Sequence, residues 1–246
     1  YLTTWKEAGI NCETCHGPSQ EHVKIFRNIK DGEVPDDIGL IVTSTFTHEQ
    51  NNSACAPCHA KMRSLTLSYP PGEKFFDHYD LVTLEDPDFF PDGRDLGENY
   101  TMTSWHQSEC AKSGTLDCIH CHTSSGRYRF ANENVNGACL PCHEERVKEI
   151  WDHSHHAEGT EGIKCIACHM PKTTFARMDR SDHSMRPPMP AATEAFESPN
   201  ACNVCHEDQS TAWANDWVGK WMSPDYQKET LRNGRLLLDA RTGEWE

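Results

Sequence analysis

The stretch Cys165-Ile166-Ala167-Cys168-His169 decides how this chain must fold. It is one of six Cys-x-x-Cys-His pentapeptides, which together use twelve of the thirteen cysteines. Numbered as motifs 1 to 6, they are Cys12/Cys15/His16, Cys55/Cys58/His59, Cys118/Cys121/His122, Cys139/Cys142/His143, Cys165/Cys168/His169 and Cys202/Cys205/His206. This spacing is the attachment signature of haem c: both thiols bond to the porphyrin vinyl groups, and the histidine binds the iron. The sequence therefore predicts six haem c groups.

Short Cys-x-x-Cys segments also occur in zinc ribbons and redox-active thiol sites. A zinc site does not need a histidine directly after every second cysteine, and a thioredoxin-like site needs one motif in a βαβ setting. A disulfide framework would close only loops with two residues between the cysteines. Haem attachment explains the repeated pattern better than any of these alternatives.

The composition agrees with a chain that folds around a cofactor. Only 36% of its 246 residues are hydrophobic and the mean hydropathy is -0.74, so aliphatic side chains alone would form a thin core. Six porphyrins would supply the missing apolar volume. We therefore predict one haem-packed domain over residues 1–246, mainly α-helical, with much irregular loop and little β-structure.

The motifs alternate between two kinds of approach sequence. Motifs 1, 3 and 5 follow a segment that begins with glycine, and motifs 2, 4 and 6 follow an asparagine and then an alanine. These residues are Gly9, Gly114 and Gly162, and Asn52, Asn136 and Asn200. The alternation predicts three tandem dihaem units, which span approximately residues 1–68, 99–150 and 151–222. Residues 69–98 are then a loop insertion and residues 223–246 a C-terminal tail.

Local patterns predict a few regular elements. Helical periodicity without internal proline predicts helices over residues 144–152 and 210–222, and a further short helix near residues 227–238. The strand signal is weak and is confined to residues 39–45. The four prolines between residues 69 and 97 predict a long ordered loop or cap.

Histidines outside the motifs are candidates for the second axial position of each iron. The chain has fifteen histidines, and nine lie outside the motifs, which is close to the demand for two histidines on each of six irons. We predict that the distal ligands are His22, His48, His78, His153, His156 and His183. His155 is the first substitute, and His106 and His120 are reserves.

Sequence neighbours support this choice of histidines. His153 and His156 are three residues apart, on one face of a predicted helix end, and could serve two different haems. His78 and His183 each follow an aspartate that could orient the imidazole.

The charge pattern restricts the class of partner. With 23 basic and 38 acidic side chains the net charge is -15, which makes nucleic acid an improbable partner and favours cationic redox proteins. No apolar run approaches the length of a membrane span. The chain begins at Tyr1 without a signal peptide, which is then removed or lies outside this sequence. Covalent haem attachment predicts an exported protein, periplasmic or extracellular.

Several stretches resemble multihaem cytochromes related to cytochrome c554, and the resemblance covers most of the chain. These stretches are residues 9–18, 75–79, 153–171, 182–184 and 198–202. The resemblance implies electron transfer along closely packed haems with two histidine ligands each. Members of this group often carry tetratricopeptide or HEAT repeats downstream, which this sequence does not include.

Two other function classes stay open beside the electron carrier. Related cytochromes include nitrite and hydroxylamine-type oxidoreductases, which need a haem with an open distal position flanked by acid–base groups. All six motifs end in histidine, so the lysine-containing nitrite reductase pattern is absent and no catalytic residue is predicted. Some multihaem cytochromes polymerise into conducting filaments, so a homo-oligomer or filament subunit is the other alternative.

Cys110 is the cysteine outside the motifs. We interpret it as a small buried apolar side chain. If its segment is helical, His106 four residues earlier could share a metal with it, although two ligands make a weak site.

Overall fold

The computed structural model describes residues 2, 4, 9–97, 100–140, 142–223 and 225–244. Tyr1 and the predicted unit boundaries at residues 99 and 246 lie outside this part of the chain. The helices are α1 (Cys12–His16), α2 (Gln20–Asn28), α3 (His48–His59), α4 (Phe75–His78), α5 (Thr101–Gln107), α6 (Glu109–Lys112), α7 (Cys118–Cys121), α8 (Glu144–Lys148), α9 (Ile150–Ser154), α10 (Cys165–His169), α11 (Pro190–Phe196), α12 (Ala201–Cys205), α13 (Thr211–Trp221) and α14 (Lys228–Thr242). Short 3₁₀ segments cover Thr43–Thr45, Asn132–Cys139 and Glu161–Ile163.

Strands form two small antiparallel pairs in the described residues. β1 (Met62–Ser64) pairs with β2 (Tyr79–Leu81), and β3 (Lys172–Phe175) pairs with β4 (Met178–Ser181). Ala176 and Arg177 connect β3 to β4 with positive φ angles of 49° and 65°, as a two-residue hairpin turn of matching twist requires. The prediction of a mainly α-helical chain with little β-structure is confirmed.

Most of the predicted helices are present. α13 matches the helix predicted over residues 210–222, because the Ser210 hydroxyl caps its first turn. α14 starts near the predicted place and continues to Thr242. The helix predicted over residues 144–152 is broken into α8 and α9 at Glu149, whose φ of -106° and ψ of 40° interrupt the backbone ladder.

The strand predicted over residues 39–45 is wrong. The segment ends in a 3₁₀ turn, and its backbone bonds to motif 1 instead of to a sheet, with Ile41 N–H donating to the His16 carbonyl at 2.9 Å. The predicted loop over residues 69–97 contains α4 and β2, and the rest of it is irregular.

The apolar core is divided into two small clusters. The larger joins α3, α4 and α5 through Ala56, Phe75 and Trp105, and half-buried Cys110 packs against it. The interpretation of Cys110 as an apolar packing residue agrees with this position. Ser108, in extended conformation, separates α5 from α6, so His106 and Cys110 do not share one helix.

A buried ionic cluster ties the long loop to the segment after β4. Arg94, only 1% exposed, donates from Nε to Asp182 at 3.0 Å and from Nη1 to Asp92 at 3.1 Å. Its Nη2 also donates to the Pro187 carbonyl at 3.3 Å. Because Asp182 and Pro187 are distant from Arg94 in sequence, these bonds tie the long loop to the segment that begins at Asp182, and Arg186 Nη1 adds a bond to the Asp92 carbonyl at 2.6 Å.

Asp95, next to this cluster, gives a prediction for stability against pH. Burial, and then the charge of Asp182, raise the pKa of Asp95 from 3.8 to about 7. Between pH 3.8 and about 7 the folded state keeps the Asp95 proton, whereas the unfolded state loses it. The contribution of Asp95 to stability is therefore full below pH 3.8 and falls as pH rises towards about 7. The loss is at most about 1.4 kcal/mol per pH unit.

The measurement is the urea midpoint of the native protein and of Asp95→Asn at several pH values. The variant should lose this part of the pH dependence, because its amide does not titrate. A constant difference between the two proteins across that range would contradict the prediction.

Candidate functional site

Five of the six attachment motifs form one helical turn. Motifs 1, 2, 3, 5 and 6 lie in or at the end of α1, α3, α7, α10 and α12. In such a turn the first cysteine, the second cysteine and the histidine stand at i, i+3 and i+4, on one face. That face can present two thiols and an imidazole to one porphyrin.

Motif 4 has a different backbone from the other five. Its 3₁₀ segment ends at Cys139, and Leu140 is extended with φ -83° and ψ 150°. Cys142 therefore lies in a turn before α8 rather than in a helix. His143 N–H still bonds to the Cys139 carbonyl at 3.0 Å, so the chain closes one turn across the motif.

Cys139 is half-buried, whereas Cys142 is exposed, as are Cys12, Cys58 and Cys205. The bond of Cys142 to haem 4 stays a prediction.

Three of the six motif histidines are oriented for iron by their other ring nitrogen. His16 Nδ1 contacts the Ile41 carbonyl at 2.8 Å, His122 Nδ1 the Gly126 carbonyl at 3.2 Å, and His169 Nδ1 the Met185 carbonyl at 3.3 Å. When Nδ1–H donates to a carbonyl, the Nε2 lone pair is free for a metal. The residues present therefore fit haem c.

Three predicted distal histidines each face a motif histidine. The ring centroids of His153 and His169 are 6.1 Å apart, and those of His156 and His206 are also 6.1 Å apart. This assigns the first pair to motif 5 and the second to motif 6.

The third facing pair is His122 of motif 3 and His183, with ring centroids 6.3 Å apart. Two imidazoles that bind one metal from opposite sides, each with a metal–nitrogen bond of about 2 Å, have centroids roughly 6 Å apart. All three pairs have the separation that a shared axial site needs.

The local backbone explains how His153 and His156 reach two motifs. α9 carries His153 and ends at Ser154, and His155 follows in the left-handed conformation with φ 56°. The chain therefore turns before His156, whose Nδ1 contacts the Ser154 carbonyl at 2.5 Å. The two imidazoles are separated by this turn and point to different partners, rather than sharing one helix face.

Burial keeps several of these imidazoles in the ligand form. Burial lowers the pKa of His59, His153, His169 and His183. A neutral imidazole is the form that binds a metal, so burial favours ligation at neutral pH.

His22 shares a segment of carbonyl acceptors with motif 1. Its Nδ1 contacts the Ile38 carbonyl at 2.7 Å, three residues from the carbonyl that orients His16. Gly39 lies between them with φ 64°, and a Cβ there would lie 2.8 Å from the His22 backbone nitrogen. Glycine at this position therefore allows the segment to approach α2. Because Nδ1 contacts the Ile38 carbonyl, His22 Nε2 is left for a metal.

His48 is oriented by a carboxylate. Its Nδ1 contacts buried Asp117 Oδ2 at 2.7 Å, directly before motif 3. Neither His22 nor His48 faces a motif histidine at ligand-pair spacing within the described residues.

His78 is placed differently from the other predicted distal ligands. Its Nδ1 contacts the Ser68 carbonyl at 2.9 Å, but its Nε2 lies 2.5 Å from Glu73 Oε2. Iron could bind Nε2 only if Glu73 moves away. The described part of the chain does not place a motif histidine against His78.

The substitute His155 and the two reserves, His106 and His120, have other contacts. His155 is exposed and its ring lies 4.4 Å from that of Trp221, and His106 lies 5.6 Å from Phe76. His120 contacts the Ala138 carbonyl through Nε2 at 3.0 Å, which occupies the nitrogen that iron would need. No cluster of three or more His, Cys, Asp or Glu side chains suited to a metal ion occurs in the described residues, Cys110 included.

The attachment cysteines of neighbouring motifs meet. The Cys55 thiol of motif 2 hydrogen-bonds with Cys118 of motif 3, which lowers the pKa of Cys55 and raises that of Cys118. The same contact joins motifs 4 and 5, where it lowers the pKa of Cys165 to about 7 and raises that of Cys139.

Other contacts link further neighbours. His120 Nε2 of motif 3 contacts the carbonyl of Ala138, directly before motif 4, at 3.0 Å, and α10 of motif 5 packs against α12 of motif 6. Motifs 2 to 6 therefore adjoin one another in chain order. Burial raises the pKa of Cys15 and the charges of Cys55 and Cys58 add to the rise, which agrees with motif 1 lying near motif 2.

Polar residues that were not among the predicted site residues hold these motifs together. Asp117 accepts a hydrogen bond from Asn51 Nδ2 at 2.8 Å as well as the His48 contact. Asn52 precedes motif 2 and bonds to motif 3, and Asn136 precedes motif 4 and bonds to motif 5. In the sequence, the asparagine before each even-numbered motif marks the repeat but does not indicate these bonds.

Comparisons with known proteins agree with this site. Residues 143–230 match the family Cytochrome c552. The chain is similar to the multihaem cytochrome MtrA of Shewanella baltica (strain OS185), with 26% identity over an alignment covering 60% of this chain and 46% of that protein. The solved structure of the outer cell wall cytochrome OcwA covers 96% of this chain, with a TM-score of 0.57 and 20% identity.

This chain spans about half the length of MtrA and 61% of OcwA. None of its described helices is both long and apolar enough to cross a bilayer. The fold likeness, the family match and the six motifs together support a multihaem c-type cytochrome.

Proposed function

We propose that this chain is an exported electron carrier or conduit that transfers electrons through six haem c groups in chain order. The observation that carries the proposal is the order of the attachment sites, in which contacts link motif 2 to motif 3, motif 3 to motif 4, motif 4 to motif 5 and motif 5 to motif 6. When bound, each haem iron alternates between the ferric and ferrous states and so accepts and donates one electron.

The protein residues would bind the haems and hold their axial ligands still. We propose two histidines for most irons, with His169 and His153, His206 and His156, and His122 and His183 as the first three pairs. Their separations of 6.1, 6.1 and 6.3 Å support this assignment. His22 and His48 are proposed distal ligands for the remaining irons, and His78 is a further one if Glu73 releases it.

The setting of the protein is also a proposal. The likeness to an outer cell wall cytochrome and to MtrA supports a place in the periplasm or outside the cell. The net charge of -15 supports redox partners with a cationic docking surface. A place in the cytochrome c554 group is consistent with the three tandem dihaem units, which stay a prediction.

The test of this function is the native holoprotein, purified with its haems. Its intact mass should exceed the polypeptide mass by six haems, and its spectrum should be low-spin. In rapid-mixing experiments, electrons that enter from a small reductant should equilibrate over all haems. Fewer than six covalent haems, or haems that are reduced independently of one another, would contradict the proposal. Prompt binding of nitrite to a reduced haem would favour an oxidoreductase.

A further inference from the structure

Two asparagines each stand three residues before one motif and hydrogen-bond to the next motif along the chain. Asn52 stands three residues before Cys55, and its Oδ1 accepts a hydrogen bond from Cys118 N–H at 3.0 Å. Asn136 stands three residues before Cys139, and its Oδ1 accepts from Cys165 N–H at 2.9 Å. The same position in two repeats therefore makes the same bond to the first cysteine of the next odd-numbered motif.

Each asparagine is part of a larger polar contact at its junction. At the first junction, His48 and Asn51 lie on the same face of α3 as Asn52, and both contact Asp117, which precedes Cys118. At the second junction, Asn136 Nδ2 also donates to the Ile163 carbonyl at 2.8 Å. One side-chain amide therefore bonds to two backbone groups, the Ile163 carbonyl and the Cys165 N–H.

These contacts occur where the motif segments pack against each other: α3 against α7, and the 3₁₀ segment Asn132–Cys139 against α10. The thiols of Cys55 and Cys118, and those of Cys139 and Cys165, also shift each other's pKa. Asn52 Oδ1 accepts from the Cys118 thiol as well, at 3.1 Å, a bond that is lost when the thiol becomes a thioether. Moving the backbone of Cys118 or Cys165 would move the sulfur that anchors one haem relative to the sulfur that anchors the next.

We propose that Asn52 and Asn136 are positioning residues that set the spacing of haems 2 and 3 and of haems 4 and 5. The inference rests on the proposed function, because it concerns the haem-loaded chain. The backbone N–H is unchanged when the thiol becomes a thioether, so this bond persists in the holoprotein.

Asn200 provides a matched control within the same chain. It precedes motif 6, and its Oδ1 accepts from Cys202 N–H at 3.0 Å, but Cys202 belongs to its own motif. Asn200 is also more buried than the other two. Alanine at position 200 thus removes the same kind of bond to a first cysteine without releasing one motif from another.

The experiment compares Asn52→Ala, Asn136→Ala and Asn200→Ala as holoproteins, after intact mass has shown full haem load. The readouts are the exciton couplet of the Soret band in circular dichroism and the magnetic interaction between neighbouring irons in electron paramagnetic resonance. Both depend on the separation and angle of adjacent haems. Asn52→Ala and Asn136→Ala should each lose part of the couplet, and the double variant should lose the sum. Asn200→Ala should retain it.

Asn136→Asp keeps an oxygen that accepts from Cys165 N–H, replaces the donor to Ile163 with a second oxygen and adds a negative charge. It should retain the couplet, and it serves as the test at the second junction if Asn136→Ala does not load its haems. An unchanged couplet in both alanine variants, an equal loss in Asn200→Ala, or a loss in Asn136→Asp as large as in Asn136→Ala would overturn the proposal. Failure of the unsubstituted protein to carry six interacting haems would instead refute the proposed function.

Discussion

His183→Ala is expected to convert one low-spin haem to high spin and to create a carbon monoxide site of about one per chain. The ring of His183 lies 6.3 Å from that of His122, and its Nδ1 contacts the Ser181 carbonyl at 2.8 Å, which leaves Nε2 for iron. Alanine would remove one axial ligand and leave the attachment cysteines intact. The measurement is a carbon monoxide titration of the reduced protein together with its high-spin resonance signal.

The control for this prediction is His155→Ala. His155 is exposed, lies against Trp221 and faces no motif histidine within the described residues. It should therefore leave the spectrum unchanged. His153→Ala and His156→Ala should each open one further haem, and the double variant should open two, because the two rings face different motifs. Equal carbon monoxide binding in His155→Ala and His183→Ala would show that the pairing is not the one in the structure.

The sequence predicts the local parts of this site well. Each motif has its attachment chemistry complete within five residues, and α13 has a serine cap and a regular apolar face. The histidines of motifs 5 and 6 meet two of the six predicted distal candidates. Composition and motif spacing are sufficient for these features because they depend on neighbouring residues.

The pairing of distant histidines cannot be read from the sequence. Nothing local indicates that His183 faces motif 3 rather than motif 5, the motif nearest to it in sequence. The backbone of residues 39–41 has an apolar pattern that favours a strand, but its carbonyl at Ile41 instead orients His16. The contact with the distant His16 imidazole outweighs the weak strand propensity of this segment.

Arg94 illustrates the same limit in the long loop. Its neighbours in sequence suggest only a turn rich in proline and acidic residues, yet it is 1% exposed and pairs with Asp182, 88 residues away. From the sequence alone, the aspartate before His183 could orient that imidazole. The structure gives it a different partner: Asp182 is held by Arg94 and accepts from Ser184 N–H at 2.7 Å, so it shapes the turn that carries His183.

Arg94→Met is therefore expected to cost about 3–5 kcal/mol of stability, because it removes the guanidinium that hydrogen-bonds to two buried carboxylates and leaves Arg186 as the nearby positive charge. Asp92 and Asp182 have 0% and 6% of their side chains exposed, so water cannot replace the guanidinium. The change is measured as a lower urea midpoint in the holoprotein. The urea midpoint of Arg94→Lys should lie between those of the unsubstituted protein and Arg94→Met. An ammonium keeps the charge but cannot bridge both carboxylates and the Pro187 carbonyl.

The second consequence of Arg94→Met distinguishes a general loss of stability from a loss at one haem. Release of Asp182 loosens the turn that carries His183, so part of one haem should become high-spin under conditions where the protein is still folded. Arg241→Met is the matched control: Arg241 bonds to the Phe89 and Asp86 carbonyls of the same loop but does not contact Asp182. It should lower the urea midpoint and leave all haems low-spin. The same high-spin fraction in both variants would mean that the loop as a whole, rather than the Arg94–Asp182 pair, holds the distal ligand in place.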